Sequence, residues 1–282
     1  MLVYVNGKMI NQVNASISID NRSFRYGDGF FETIKCINSQ LPLWEYHSKR
    51  LFATLEALHF EKPSFFTLDY IKEAILTLVK KNQVGKLARV RVTIFRGEGG
   101  IYDAINHRPN LLIQTWELNP ENNNLNENGL VTGDYTTGFK AADAFANLKS
   151  NNYLLYAMAA LHSKQQHWND ALVFNHNARY CDATIANLWV VKNGEVRTPA
   201  LSEGPVAGVM RRFIIENLPA LGIKLSEGEL TPDNVKEADE VFLTNAIYGL
   251  KWVKQHNDTS YSNKLTTRIH AALIAPLWAA TI

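Results

Sequence analysis

An asparagine–glycine pair, Asn193-Gly194, separates the apolar run NLWVVK from the run EVRTP, and this restricts how the chain can fold. Asn-Gly favours the two-residue type I′ turn, because both positions tolerate a positive φ angle. The segment therefore predicts an antiparallel β-hairpin. Asn6-Gly7 stands in the same way between LVYV and KMI, and predicts a second hairpin at the start of the chain.

Helical patterns occur between the strand patterns. Leu51, Leu55 and Leu58 recur at helical spacing after HSKR, and a second helix is predicted from Leu68 to Lys81. The run ARVRVTIF alternates strictly between polar and apolar residues, which is typical of a strand with one buried face. DALVFN, at 170–175, is also predicted to be a strand.

Length and local composition suggest the domain organisation. A chain of 282 residues suits one large domain or two of medium size. The run NPENNNLNENG, at 119–129, is rich in asparagine and is expected to be an exposed loop or an interdomain linker. We therefore expect one domain at 1–118 and a second at 130–282.

Charge and cysteine content exclude several classes of protein. With 29 basic and 27 acidic residues and no basic run, nothing favours binding to nucleic acid or to a membrane surface. Two cysteines cannot build a disulfide framework, and no cysteine or histidine spacing suggests a metal site. The last apolar run is short and contains Pro276, and no signal peptide is recognisable, so we expect a cytoplasmic protein.

Lys149 lies just before an apolar segment with helical spacing, which contains Tyr153, Leu154 and Leu161. We therefore place it in the first turn of a helix, where the helix dipole disfavours a cation. Lysines that form Schiff bases are found where the ammonium form is unfavourable. The alternative is an exposed lysine that is merely tolerated at this position.

Two arginines have both a structural and a functional interpretation. Arg50, in the first predicted helix, is either a solvated surface residue or a phosphate ligand, since guanidinium can pair with two phosphate oxygens. Arg91 shares a strand face with Arg89, and such arginines are usually solvated. If that face lines a cleft, Arg91 becomes an anchor for a substrate carboxylate.

The segment YGDGFFE, from Tyr26 to Glu32, is either a plain glycine-rich loop between strands or the rim of an active site. Aromatic residues on both sides of its glycines, Tyr26 and Phe31 among them, favour the second interpretation. Further along, Gly208 opens a helix through Val209 and Met210, and a helix N-terminus offers free amides to an anion. A plain turn is the alternative there.

These motifs, taken in order, resemble the class IV family of pyridoxal phosphate enzymes. The similar segments are YGDGFFE, HSKRL, the lysine before NNYL, the acid five residues before an asparagine, GVMR, and the Asn245-Ala246 pair. The family contains branched-chain and D-amino-acid aminotransferases and aminodeoxychorismate lyase. It implies a mixed α/β fold with a small N-terminal α/β domain and a larger C-terminal domain with a barrel-like, mostly antiparallel sheet. It also implies pyridoxal 5'-phosphate between the domains, and a homodimer.

The resemblance assigns roles by position. Lys149 is the catalytic residue, which binds the cofactor covalently and moves protons. The residues implied in cofactor binding are Arg50, Lys149, Tyr153, Asp182, Val209, Met210, Asn245 and Ala246. Those implied in substrate binding are Tyr26, Phe31 and Arg91. Asp182 would pair with the ring nitrogen, where the family usually has the longer glutamate.

Local patterns distinguish the activities within the family. The R-G-x-G-G, G-[IV]-M-R and N-A patterns of aminodeoxychorismate lyases all have counterparts here: RGEGG, GVMR and NA. The resemblance therefore favours a lyase that converts 4-amino-4-deoxychorismate to p-aminobenzoate and pyruvate, a step of folate biosynthesis. The alternatives are a class IV aminotransferase that uses 2-oxoglutarate, and an inactive family member that serves as a binding protein.

Overall fold

The chain divides into two units, each with its own β-sheet, in the computed structural model, which describes residues 1–103 and 106–279. The first unit comprises Met1–Pro120 and the short segment Lys149–Asn152. The second comprises Glu121–Leu148 and residues 153–279. The domain limits expected from the sequence stay a prediction. Within the segment expected to be a linker, Pro120–Asn123 forms a 3₁₀ helix.

Among its described residues, the first unit has an antiparallel five-stranded sheet and three α-helices. Its elements are β1 (Leu2–Val5), β2 (Lys8–Asn11), α1 (Arg22–Tyr26), β3 (Gly29–Ile37), α2 (Trp44–Ala57), α3 (Leu68–Lys81), β4 (Leu87–Phe95) and β5 (Asn110–Glu117). The strand order is β2-β1-β5-β4-β3, so β3 lies at one edge. The hairpin predicted at Asn6-Gly7 is confirmed, with φ angles of 47° and 89°.

Helices α2 and α3 supply the apolar core on one face of this sheet. Val90, Val92 and Ile94 of β4 are at most 1% exposed and pack in one cluster with apolar residues of both helices, as the alternation predicted. α3 has the predicted bounds, and the hydroxyl of Thr67 caps it by accepting a hydrogen bond from the Tyr70 amide. α2 begins at Trp44, somewhat earlier than predicted.

The segment Lys149–Asn152 completes the edge of this sheet. The backbone N–H of Phe31 donates to the carbonyl of Lys149 at 3.0 Å, and that of Asn151 donates to the carbonyl of Gly29 at 2.9 Å. An edge strand leaves backbone groups without partners, and these two bonds satisfy two of them on β3. Lys149 is therefore held in an extended segment against a strand.

The second unit contains nine further strands and five α-helices among the described residues. They are β6 (Leu130–Lys140), α4 (Leu154–Gln165), β7 (Asp170–Asn175), β8 (Tyr180–Ala183), β9 (Asn187–Lys192), β10 (Glu195–Pro199), α5 (Val209–Asn217), β11 (Leu225–Gly228), α6 (Pro232–Lys236), β12 (Glu240–Asn245), β13 (Gly249–His256), β14 (Thr259–Ser260), α7 (Lys264–Ile269) and α8 (Ala275–Ala279). A π-helical turn, His270–Ile274, joins the last two helices.

Six of these strands close into a barrel. They follow the order β9-β12-β13-β6-β7-β8, and β8 pairs with β9 again through Asp182 and Asn187. The pairs β13–β6 and β6–β7 are parallel, and the other pairs around the barrel are antiparallel. The predicted fold class, with a small α/β part and a larger part built on a barrel-like, mostly antiparallel sheet, is confirmed.

Burial follows from this closure. All six residues of β7 are buried, because one face of the strand meets the barrel interior and the other meets packed elements such as α4. The second predicted hairpin is present, with φ angles of 50° at Asn193 and 78° at Gly194. Within residues 1–103 and 106–279, no helix has the length and apolar character needed to cross a membrane.

Candidate active site

Asp182 lies in β8, 2% exposed, and its carboxylate accepts hydrogen bonds from four donors. Oδ2 accepts from the Tyr156 hydroxyl at 2.7 Å, the Val206 backbone amide at 2.8 Å and the Lys140 ammonium at 3.3 Å. Oδ1 accepts from the side-chain amide of Asn187 at 2.9 Å. A carboxylate has about four acceptor positions, two on each oxygen. Oδ2 is therefore saturated, and Oδ1 keeps one position that no described donor uses.

Burial and these donors act in opposite directions on the ionisation of Asp182. Burial raises the pKa of its carboxyl above the ordinary value, while the charge of Lys140 and the hydrogen bonds from Val206 and Tyr156 favour the carboxylate. The pKa of the Tyr156 hydroxyl is raised well above its ordinary value by burial and then by the negative charge of Asp182, so Tyr156 remains a donor. Of the contributions that lower this pKa and favour the carboxylate, the positive charge of Lys140 is the largest.

Asn187 connects this carboxylate to the start of α5. Besides its bond to Asp182, its amide nitrogen donates to the carbonyl of Val206 at 2.8 Å. A Cβ atom at residue 208 would overlap Oδ1 of Asn187, so this approach requires Gly208. Glycine at 208 is the N-cap residue of α5 and supplies no side-chain cap.

The N-terminus of α5 is the predicted anion-binding feature of the second unit. Val209 and Met210 open the helix as predicted, and both are buried. Amides in the first turn of a helix have no carbonyl partner within it, and they carry the positive end of the helix dipole. These backbone groups suit an anion such as a phosphate.

Three other predicted residues lie in the second unit. The Tyr153 hydroxyl donates to the carbonyl of Thr184 at 3.3 Å. The ring centroid of Tyr153 is 4.6 Å from that of Tyr156, whose hydroxyl donates a hydrogen bond to Asp182. Asn245 ends β12, where its side-chain oxygen accepts from the amides of Ile247 and Tyr248. Ala246 follows in this turn, half-buried. The side-chain oxygen of Asn245 thus stabilises the turn. The role of Asn245 and Ala246 toward a phosphate stays a prediction.

In the first unit, Arg50 is oriented by Glu32. Its Nε and Nη2 donate to the two carboxylate oxygens at 2.7 and 2.5 Å. His47 Nδ1 lies 2.7 Å from Oε2 of the same carboxylate. Burial alone would raise the pKa of Glu32, but the charge of Arg50 and the hydrogen bonds from both neighbours lower it to about 2. The ion pair occupies two of the five guanidinium N–H groups.

His47 supports this pair from a fully buried position. Burial lowers the pKa of its ring, although Glu32 acts in the opposite direction, and the charges of Arg50 and Lys149 lower it further. The neutral ring therefore donates from Nδ1 to Glu32, and its buried Nε2 has no hydrogen-bond partner among the described residues. Glu32 and His47 were not predicted, although Glu32 closes the YGDGFFE segment and His47 opens HSKRL.

Lys149, Phe31 and Arg91 lie together on the other face of the β3 edge. The Lys149 Nζ is 4.6 Å from the centroid of the Phe31 ring, and the Arg91 guanidinium carbon is 3.6 Å from it. Both distances are typical of cation–π contacts. Tyr26, in α1, is 38% exposed, with the Arg22 guanidinium 5.6 Å from its ring centroid. The structure thus brings together two of the three predicted substrate residues with Lys149.

One local prediction for Lys149 is wrong. The sequence placed it in the first turn of a helix, but α4 begins at Leu154, with Tyr153 as its N-cap. The backbone bonds to Phe31 and Gly29 hold the preceding residues in an extended conformation instead. The helix dipole therefore gives no argument for a neutral amine at Lys149.

The neighbours of Asp182 were missed as site residues. Its carboxylate accepts hydrogen bonds from Lys140, Tyr156, Asn187 and Val206. None of these four residues was predicted from the sequence to contact it. Tyr156 follows Tyr153 by three residues, which places both on one helix face, so a pattern for it exists. Lys140 and Val206 have no such pattern, because they come from distant parts of the sequence and only the tertiary fold brings them to β8.

The fold and these two groups of residues define a class of protein. The family model of class IV amino-transferases matches residues 29–255, and the chain belongs to this family. Enzymes of this family use pyridoxal 5'-phosphate, so the predicted cofactor is confirmed at the level of the family.

The proteins similar to this chain include aminodeoxychorismate lyases and aminotransferases. An aminodeoxychorismate lyase of Vibrio harveyi is 31% identical over 237 residues, which cover 83% of this chain and 85% of the relative. One of Bacillus subtilis is 29% identical over 255 residues, covering 87% and 83%. The crystal structure of a branched-chain aminotransferase from Thermoproteus uzoniensis is similar with a TM-score of 0.88 at 20% identity, covering 99% of this chain and 95% of that one. This last similarity concerns the fold alone.

The residues present fit the cofactor of the family. Pyridoxal phosphate needs a lysine for its aldehyde, donors for its phosphate and an acceptor for its ring nitrogen. Lys149, the first turn of α5 with Arg50, and the unused acceptor position on Asp182 Oδ1 match these three needs in kind. The aspartate, where the family usually has glutamate, still supplies a buried carboxylate.

Proposed function

We propose that this protein is a pyridoxal-phosphate-dependent aminodeoxychorismate lyase, which converts 4-amino-4-deoxychorismate to p-aminobenzoate and pyruvate in cytoplasmic folate biosynthesis. The observation that carries the proposal is the order of similarity. The lyases of Vibrio harveyi and Bacillus subtilis share 31% and 29% identity with this chain. A putative branched-chain aminotransferase of Methanocaldococcus jannaschii shares 25%, and a D-alanine aminotransferase of Listeria monocytogenes 23%.

The proposal assigns a role to each part of the site. Bound pyridoxal phosphate supplies an electron sink for a carbanion at the amine-bearing carbon. Lys149 would hold the cofactor covalently through its amine, and the same amine would take the proton from that carbon. Asp182 keeps the ring nitrogen protonated through a hydrogen bond to its carboxylate. Arg50 and the amides of Val209 and Met210, with Asn245 and Ala246, hold the phosphate.

The reaction balances without a second substrate. Loss of the proton from the amine-bearing carbon is followed by cleavage of the neighbouring ether C–O bond, which expels the side chain as the enolate of pyruvate. One proton, matching the one removed in the first step, then adds to the methylene carbon of the enolate and gives pyruvate. The ring becomes aromatic and leaves as p-aminobenzoate. Formation of the aromatic ring helps to drive this step, and Tyr153 would help to orient the bound cofactor.

Arg91, Phe31 and Tyr26 are the residues we assign to the substrate. The substrate has two carboxylates, and the Arg91 guanidinium, placed over the Phe31 ring close to Lys149, is an anchor for one of them. The contact with Phe31 fixes where the arginine lies without neutralising its charge. Phe31 and Tyr26 supply aromatic surface for a six-membered ring.

A class IV aminotransferase is the alternative, and the relatives named as aminotransferases favour it. Such an enzyme shares the first proton abstraction, but returns the proton to the cofactor and releases a keto acid. An inactive binding protein is a further alternative. The presence of both Lys149 and Arg50 argues against it, because both match the cofactor motifs of the family.

We further propose that the protein acts as a homodimer. Leu154, Met158 and Leu161 follow one another at helical spacing on α4 and are 75%, 45% and 52% exposed. An apolar stripe of this kind on a helix surface is typical of an interface. A second copy of the chain would cover it.

Substrate assays separate the candidate activities. Purified protein loaded with pyridoxal phosphate is supplied with 4-amino-4-deoxychorismate, and in parallel with D-alanine or leucine together with 2-oxoglutarate. The lyase proposal expects p-aminobenzoate and pyruvate in equal amounts from the first substrate alone, and none from Lys149→Ala. Glutamate formation from leucine or D-alanine, with no p-aminobenzoate, would identify an aminotransferase.

A further inference from the structure

Lys140 is a buried cation with one carboxylate partner among the residues that the structure describes. It ends β6, is 9% exposed, and its ammonium lies 3.3 Å from Oδ2 of Asp182 and 5.2 Å from the centroid of the Tyr156 ring. Transfer of an ammonium group from water into a protein interior is costly unless it is paired. A lysine at the end of a strand could avoid that cost by reaching solvent. The burial of Lys140 therefore needs a specific explanation.

The hydrogen bonds around Asp182 explain why Lys140 is buried. Tyr156, Val206 and Lys140 saturate Oδ2, and these three donors fix the plane of the carboxylate. Asn187 takes only one of the two positions on Oδ1. The arrangement therefore selects which oxygen stays available, and Lys140 is the member of the set that brings a positive charge.

We propose that Lys140 is a positioning residue of the cofactor site, which keeps Asp182 ionised and directs its Oδ1 toward the ring nitrogen of pyridoxal phosphate. The inference rests on the proposed function only in that the cofactor is pyridoxal phosphate. Lys140 does not touch the cofactor in this scheme; it acts through the carboxylate. In this scheme Asp182, together with the nearby ammonium of Lys140, binds the ring nitrogen, which is the role that a glutamate usually has in the family.

The groups that face Asp182 from each packed element are few. They are Lys140 from β6, Tyr156 from α4, the adjacent thiol of Cys181 in β8, and Asn187 from β9. Tyr156 and Cys181 are both neutral, because burial raises the pKa of each above its ordinary value. Removal of the charge at 140 therefore leaves no other cation from these elements to replace it.

The test compares two ligands on apoprotein. One is pyridoxal phosphate, and the other is its deaza analogue, in which carbon replaces the ring nitrogen. Lys140→Met keeps the length of the side chain and removes its charge. We expect this variant to bind pyridoxal phosphate about ten- to a hundredfold more weakly than the parent, the usual effect of losing a hydrogen bond to a charged group. Binding of the deaza analogue should be equal in the two proteins.

Control variants separate this role from a structural one. Lys140→Arg retains the charge and should restore selectivity for pyridoxal phosphate, while Lys164→Met removes an exposed lysine and should change nothing. If Lys140→Met does not fold, as judged by circular dichroism, Lys140→Gln takes its place in the same comparison. Equal weakening for both ligands, or unchanged affinity for both, overturns the proposal.

The same titration distinguishes this inference from the proposed function. If the parent apoprotein binds neither ligand, the cofactor assignment itself fails, and the lyase proposal fails with it. If the parent prefers pyridoxal phosphate and the Lys140→Met variant keeps the whole preference, only the role of Lys140 is refuted.

Discussion

The ammonium nitrogen of Lys149 lies 4.6 Å from the centroid of the Phe31 ring, and the backbones of the same two residues are hydrogen-bonded. The lysine is thus attached to the edge strand of the first unit both by its main chain and by its side chain. An aromatic face attracts a cation but forms no bond that must be broken before the amine reacts. Phe31 therefore helps to place the amine.

Replacement of Lys149 by alanine should abolish covalent attachment of the cofactor and all turnover. The proposed chemistry requires this amine both to bind the cofactor and to move the proton. Borohydride reduction of the loaded protein, followed by peptide mapping, identifies the modified lysine. A label on Lys140 or Lys164 instead would contradict the assignment, and Lys164→Ala serves as the unaffected control.

Substitution of Arg50 by lysine should weaken binding of pyridoxal phosphate by about 1.5 to 3 kcal/mol, because a single ammonium replaces a planar group with several donors. The guanidinium also binds both oxygens of Glu32, so the free energy of unfolding should fall as well. Titration of apoprotein measures the first effect, and urea unfolding the second. Lys49→Gln, at an exposed neighbour, is the matched control. An unchanged dissociation constant would mean that Arg50 only orders Glu32.

At saturating pyridoxal phosphate, Asp182→Asn should still carry the cofactor but slow the chemical step by about ten- to a hundredfold, because a neutral amide cannot keep the ring nitrogen protonated. Asp182→Glu adds a methylene to a side chain that is 2% exposed, and overpacking of this kind costs about 1 to 3 kcal/mol of stability. Single-turnover kinetics and urea unfolding test the two effects. An asparagine variant as fast as the parent would show that another group serves the ring nitrogen.

Glu32→Gln should destabilise the protein by about 3 kcal/mol at pH 7, from a carboxyl pKa lowered from 4.5 to about 2. Since the folded-state pKa is depressed, this stabilisation is fully present above about pH 4.5, the unfolded value, and is lost as the pH falls toward 2. Urea unfolding at pH 7 and pH 3 should therefore show a smaller difference between variant and parent at the lower pH. A difference that does not change with pH would refute the ion-pair explanation, and Glu56→Gln is the exposed control.

A charge within the apolar stripe of α4 should dissociate the proposed homodimer. Met158→Glu places a carboxylate between Leu154 and Leu161, and an unpaired charge in an apolar interface is costly to bury. Sedimentation equilibrium should then give a monomer mass for the variant and a dimer mass for the parent. Lys236→Glu, at an exposed site on another helix, should remain dimeric. A parent that sediments as a monomer would remove this part of the proposal.

Much of the local structure was predictable because it depends on neighbouring residues. The asparagine–glycine pairs predict both hairpins through the φ angles that those residues tolerate, and the alternation around Val90 predicts the buried face of β4. The helix from Leu68 to Lys81 follows from apolar spacing and has a threonine cap. Arg50 was also predictable, because it belongs to HSKRL, a short continuous motif that can be recognised without knowledge of the fold.

By itself, the sequence determined the two asparagine–glycine hairpins, the buried face of β4 and the helix from Leu68 to Lys81, and it indicated which lysine, arginine and acid match the family motifs. Only the tertiary structure decided how those residues are held. It ties Lys149 to β3 in an extended segment, where local spacing predicted a helix, because the open edge of the first sheet needs hydrogen-bond partners. It brings Lys140 to Asp182 because β6 and β8 pair with the two sides of β7, and no local pattern in a chain encodes an ion pair across 42 residues.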